Sequence, residues 1–244
     1  MILIRPVLLL FLFFSVTAWS QTYVSVEGAG VWQTRNDQRI PGNTGTQFSI
    51  SDQEDGPFLG YRAYVGHVWN KTHELRALYA PLEVEVDGQF ATPVLYKSST
   101  FAANTPTTFY YKFNSYRLTY AYHFANSGAW SLAIGFTGKI RDAEVKLTQG
   151  TLSESKSNVG FVPLLHFQAK YDLGDKTSVR LDFDGLAAPQ GRAFDVGLFA
   201  QQEVSDGLEF FAGYRTVEGG ADNDEVYNFA WFHYATLGLN WQWD

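Results

Sequence analysis

Asp182 and Asp184 are the two residues whose spacing most invites chemistry. In an extended chain, side chains two apart lie on one face. Two carboxylates on a shared face can divide the work of general acid and general base. Arg180 stands on the same segment, and other segments supply Arg62, Arg117, Lys139, Arg141, Asp195, Glu209 and Arg215. Both signs occur on neighbouring segments. The expected outcome is therefore mutual pairing, because an isolated buried charge costs on the order of several kcal/mol. The functional alternative is a narrow polar pathway that selects small solutes by charge. The histidines are His67, His73, His123, His166 and His233, and none stands beside a Ser or Asp in a recognisable motif. There is no Gly-x-Ser-x-Gly, no metal-ligand cluster and no phosphate-cradling loop. Asp222, Asn223, Asp224 and Glu225 carry oxygens suited to Ca²⁺, although a short acidic turn is ordinarily just solvated. No cofactor and no metal are expected.

The elements that position these side chains alternate apolar and polar residues with the period of a strand. About ten such segments follow one another: 23–32, 58–69, 73–86, 109–124, 130–141, 159–171, 177–185, 192–204, 208–217 and 227–243. Tyr116, Leu118, Tyr120, Tyr122 and Phe124 share one face of the fourth, with Ser115, Arg117, Thr119, Ala121 and His123 on the other. Short turns such as 70–72, 126–128 and 205–207 alternate with longer polar stretches such as 34–57, 87–108 and 144–158. Alternation fails in 73–86: Glu83 and Glu85 imply one facing, Arg76 the other. A bulge near Pro81 that resets the parity is expected there. The two longest loops hold Phe48, Ile50, Phe90, Val94, Leu95, Tyr96 and Phe101, so they either rise as hairpins or fold over a mouth.

Residues 1–20 carry Arg5, then the apolar run 7–14, then small residues around 18–20, and read as a secretory signal peptide cut after Ser20. Residues 21–244 form one domain. They hold no run of ~20 apolar residues, which excludes a helical membrane protein. The chain has no cysteine, so an exported form gains nothing from disulfides. Its net charge of −7 argues against a nucleic-acid partner. Aromatic residues are 17% of the chain, which suits girdles at two membrane interfaces, while mean hydropathy is only −0.16. Both values fit a transmembrane β-barrel, whose strands alternate lipid-facing and lumen-facing residues. A soluble sandwich or lipocalin-like barrel would show the same period with the faces reversed.

The last strand, with Leu237, Leu239, Trp241 and Trp243 on one face, resembles the carboxy-terminal assembly signal of Gram-negative outer-membrane barrels; here Trp243 is followed by Asp244. In architecture the whole mature chain is similar to small OmpA- and porin-like barrels. Residues 187–195 and 218–231 look like a pattern of uncharacterised small exported barrels, which implies no activity. The resemblance implies outer-membrane lipid and lipopolysaccharide as surroundings, and barrel-assembly and periplasmic chaperone machinery as partners. The expected fold is all-β, an antiparallel up-and-down barrel of ten strands, or of eight on the alternative count. The expected role is structural or narrow-channel, passing or binding small solutes or surface ligands, without enzymatic activity. A barrel hydrolase acting on lipid or peptide at the surface is the alternative.

Overall fold

Alternating side chains and punctuating turns give strands nearly everywhere in the computed structural model, which describes residues 19–189 and 191–243. Most of the leader therefore lies outside the described residues, as do Gln190 and Asp244. The strands are β1 (Ser20–Arg39), β2 (Phe48–Ser49), β3 (Phe58–Trp69), β4 (His73–Ala80), β5 (Glu83–Gly88), β6 (Val94–Tyr96) and β7 (Ser99–Phe101). They continue as β8 (Thr107–Ser127), β9 (Trp130–Gln149), β10 (Leu152–Asp172), β11 (Thr177–Ala188), β12 (Gly191–Ser205), β13 (Leu208–Asp222) and β14 (Tyr227–Trp243). The order along the sheet is β14-β13-β12-β11-β10-β9-β8-β4-β3-β1, and β14 pairs back onto β1, from Thr22 against Trp243 to Arg39 against Tyr227. β4 and β5 lie end to end along β8, and β2 is a two-residue spur on β1. The result is a closed, ten-stranded antiparallel barrel. Closure pairs every barrel strand with a neighbour on both sides, so no free edge strand runs along the lipid.

Which way round the barrel is built is decided by exposure. Phe136 is 69% exposed and Leu118 54%, while Arg117 and Thr119 between and beside them are buried. The apolar face points outward, which rules out the lipocalin-like alternative. Above this belt the polarity inverts while the parity does not. On β5, Glu83 and Glu85 face out and Val84 and Val86 face in; on β9, Lys146 faces out and Val145 and Leu147 face in.

This inversion corrects the expected bulge near Pro81. Ala80 pairs with Ser115 and Glu83 with Lys112, so the register across Pro81 is unbroken. Proline merely interrupts the ladder, and the Leu82 N–H is taken up by the Asn114 side chain at 2.9 Å. Glu83 and Glu85 face outward because they have already left the membrane. Bulges occur instead at Gln33/Arg35, His123/Ala125 and Glu203/Ser205.

The stretch 144–158, expected as a loop, is a hairpin: β9 runs to Gln149 and β10 starts at Leu152. Its Ser- and Thr-rich composition reflects strands in water rather than loss of structure. The two longest connections do both of the things foreseen for them. Phe48, Ile50, Phe90, Val94, Tyr96 and Phe101 are buried over the barrel mouth, packed on Phe109 and Leu147. Phe90 meets Phe109 edge-on with ring centroids 5.0 Å apart, and the Tyr96 hydroxyl donates to the Val145 carbonyl at 2.8 Å. The β6–β7 hairpin is pinned to β10 by Glu154. That carboxylate accepts from Ser98 and Ser99 and pairs with Lys97 at 3.1 Å.

Candidate functional site: the charge-filled lumen

Seven strands deliver the ion-paired side chains at the barrel axis, because every second residue of a strand faces inward. Asp195 on β12 is the hub. Arg62 (β3) donates to it at 2.9 Å, Arg117 (β8) pairs with it at 2.7 Å and Arg215 (β13) donates at 2.6 Å. Arg117 also reaches Asp184 at 2.9 Å, and Arg215 reaches Glu27 at 3.1 Å. Asp182 lies 3.2 Å from Arg180 and 3.8 Å from Arg215. Space for the Arg215 fork comes from Gly197, where an added Cβ would approach Arg215 Cζ to 3.1 Å and Phe199 Cε2 to 2.5 Å.

Sequence reasoning missed four members. Glu27 on β1, between Val26 and Gly28, is not assigned to the lumen by sequence, yet it is 4% exposed and pairs with Arg215. Glu74 and Arg76 on β4 were obscured by the misread parity. Glu74 binds Tyr23 at 2.5 Å and His123 at 2.9 Å. His166 was read as unconnected to any aspartate, but β10 and β11 set it directly opposite Asp184, with Nδ1 2.8 Å from Oδ1. The pairing is invisible in sequence because 18 residues and a turn separate the two.

Charge balances in this layer. Arg62, Arg76, Arg117, Arg180 and Arg215 supply five guanidinium groups; Glu27, Glu74, Asp182, Asp184 and Asp195 supply five carboxylates. The space left among Arg62, His166, Asp184 and Arg215 is about 10 Å³, the size of one water at most. A vestibule of about 280 Å³ lies toward the short-turn end, where Lys170 stands 3.9 Å from Glu209 and Gln201 hydrogen-bonds the same carboxylate. Above the charge layer, the apolar lid closes the other end.

Two sequence-assigned lumen charges do not join the network. Lys139 on β9 is 2% exposed, and its ammonium lies over the Phe113 ring at 4.3 Å; it forms no ion pair among the described residues. Arg141 donates to Asn158 at 2.5 Å and leaves its Nε buried and unbonded. Lys139 lies in register with Arg117, and Arg141 lies one inward position higher, opposite Ser115; neither forms an ion pair with a carboxylate among the described residues. They correct the expectation that all ten charges pair.

The remaining candidates are simply placed. Leu237, Leu239, Trp241 and Trp243 face outward on β14, the last two with rings 5.0 Å apart. Asn223 accepts the N–H groups of Glu225 and Val226, a turn that accounts for the acidic 222–225 segment; no His, Cys, Asp or Glu cluster able to hold a metal is present among the described residues.

No protein-family model matches the chain, and no curated protein sequence matches it. Solved structures do. The outer membrane protease OmpT from Escherichia coli superposes with a TM-score of 0.58 at 9% identity, over 91% of this chain and 97% of that one. Ail, the attachment invasion locus protein of Yersinia pestis, gives 0.44 at 10% identity over 92% and 99%. These likenesses concern the fold. With the outward apolar belt, the inward charge layer and the closed ten-strand ladder, the superposition on OmpT gives the chain the fold of a bacterial outer-membrane β-barrel.

Proposed function

We propose that this barrel is closed along its axis and works by binding at its outer end rather than by conducting solutes. One observation carries the reading: a charge-balanced layer fills the lumen at mid-height, and a second, apolar core seals the outer mouth above it. Opening a path would break Asp195 from three arginines at once, and each broken buried pair costs roughly 3–5 kcal/mol. The kinship with OmpA- and porin-like barrels that the last strand suggests is compatible with a non-conducting member. Hydrolysis is the less favoured reading. His166 is the one histidine against an aspartate in the lumen, and its other nitrogen faces Arg76 at 3.4 Å, leaving neither nitrogen to take a substrate proton.

Planar-bilayer recording of the purified full chain tests the proposal. No step conductance is expected from wild type or from Arg180→Ala. Ohmic steps whose ion selectivity changes in Arg180→Ala would overturn it in favour of a charge-selective channel.

A further inference from the structure

The barrel wall is parted on one side. β10 and β11 pair from Asp172 against Ser178 up to Leu165 against Gly185, and there the ladder stops. The same register would set Leu164, Pro163 and Val162 opposite Leu186, Ala187 and Ala188, but these pairs do not form. Pro163 suits a parted seam, because it has no N–H to leave unsatisfied at an edge. Phe161, two residues above Pro163, is 68% exposed and in register with Ile140 and, through it, Tyr116. The parting therefore lies at the outer aromatic girdle, level with the outer leaflet.

Behind it is a cavity of about 390 Å³, within the range of small-molecule sites. Small residues on the facing wall, among them Ala193, Gly219, Ala221 and Ala230, leave the space. Tyr111, Phe113 and Phe232 line it with apolar surface. Three cations border it: Arg192 is paired with Glu218 at 2.7 Å, whereas Lys139 and Arg141 are the cations left out of the charge-balanced network. A buried ammonium without a counter-ion is unfavourable unless something supplies the missing charge. Neither Lys139 nor Arg141 forms an ion pair with a carboxylate among the described residues.

We propose that this cavity takes a single-chain amphiphile with an anionic head, a fatty carboxylate or a monoacyl phosphate. Its head pairs with Lys139 and Arg141, and its chain leaves through the parting between β10 and β11 past Phe161 and Leu186. Carboxylate and phosphate both present acceptor oxygens suited to the Arg141 guanidinium and the Lys139 ammonium. Entry is from the side, so a closed axis is no obstacle. The inference deepens the binding role proposed above, and the two fail separately, since axial current says nothing about the side cavity.

The test is displacement of the fluorescent fatty acid cis-parinarate from the full chain in nanodiscs. Palmitate, palmitoyl lysophosphatidate and the uncharged hexadecanol serve as competitors. Saturable parinarate binding is expected, with hexadecanol at least tenfold weaker than the better anion. Whichever anion competes better identifies the source as free fatty acid or membrane phospholipid. Lys139→Met should weaken anion competition tenfold or more, while Lys146→Gln, an outward-facing control on the same strand, should leave it unchanged. Ala188→Trp, which narrows the parting without touching a charge, should also reduce binding. Heat-dependent mobility on gels confirms that each variant is folded. Equal competition by hexadecanol and palmitate, unchanged competition in Lys139→Met, or no saturable binding by wild type would each overturn the proposal.

Discussion

Asp195→Asn is the perturbation that most directly probes the lumen. The substitution keeps size and one carbonyl oxygen but removes the charge that Arg62, Arg117 and Arg215 share at 2.6–2.9 Å. Five guanidinium groups would then face four carboxylates in a layer with space for a single water. Breaking a buried pair from one side costs ~3–5 kcal/mol, since the orphaned charge stays out of water. At about 2–4 °C per kcal/mol for a chain of this size, the unfolding midpoint should fall by roughly 6–20 °C. Thermal unfolding in detergent, followed by the loss of β-sheet circular dichroism, reads this directly. The double variant Asp195→Asn/Arg117→Met restores four against four and should regain part of the loss, with Asp184 still held by His166 and Thr137. A single-variant midpoint within roughly 2 °C of wild type, under about 1 kcal/mol, would refute the claim that paired charges hold the lumen shut.

The lid should behave as a separate unit. Phe109→Ala removes a fully buried ring that packs on Phe48 and Phe90. Truncating such a ring costs ~3–5 kcal/mol, and hydrogen exchange should accelerate over 94–101 while the belt strands stay protected. Hydrogen bonds from Ser99, Lys97 and Ser98 hold the Glu154 carboxyl below its ordinary value of 4.5. A depressed folded value means the clasp is fully present above 4.5 and is lost as pH falls through that lower value. Protease cleavage within the β6–β7 hairpin should thus rise in strong acid, and Glu154→Gln should show the same sensitivity at neutral pH; resistance in both would exclude the clasp.

Much of the barrel is legible in the chain. The segments 58–69 and 227–243 coincide with β3 and β14, because a tight turn or a proline marks their ends. Arg117, Arg180, Asp182, Asp184, Asp195 and Arg215 are correctly set on one face by parity alone. Parity also assigns Lys139 and Arg141 inward, but it does not say which side chains meet across the lumen, so it counts both as ion-pair partners although Lys139 lies over the Phe113 ring and Arg141 donates to Asn158. The same blindness produced the bulge at Pro81: two glutamates on the outward face are costly in lipid and harmless above it. Sequence period reports the face of a strand and not where the solvent changes.

The amino-acid order by itself determined strands, turns, the faces of each strand and the exclusion of helical spans, since these are local consequences of a period of two. Only the tertiary structure decided which face meets lipid, that His166 meets Asp184, that Asp195 joins three arginines, and that β10 parts from β11. Each of these depends on the register and closure of strands distant in the chain. Closure is a property of the whole ring, and no segment carries it alone.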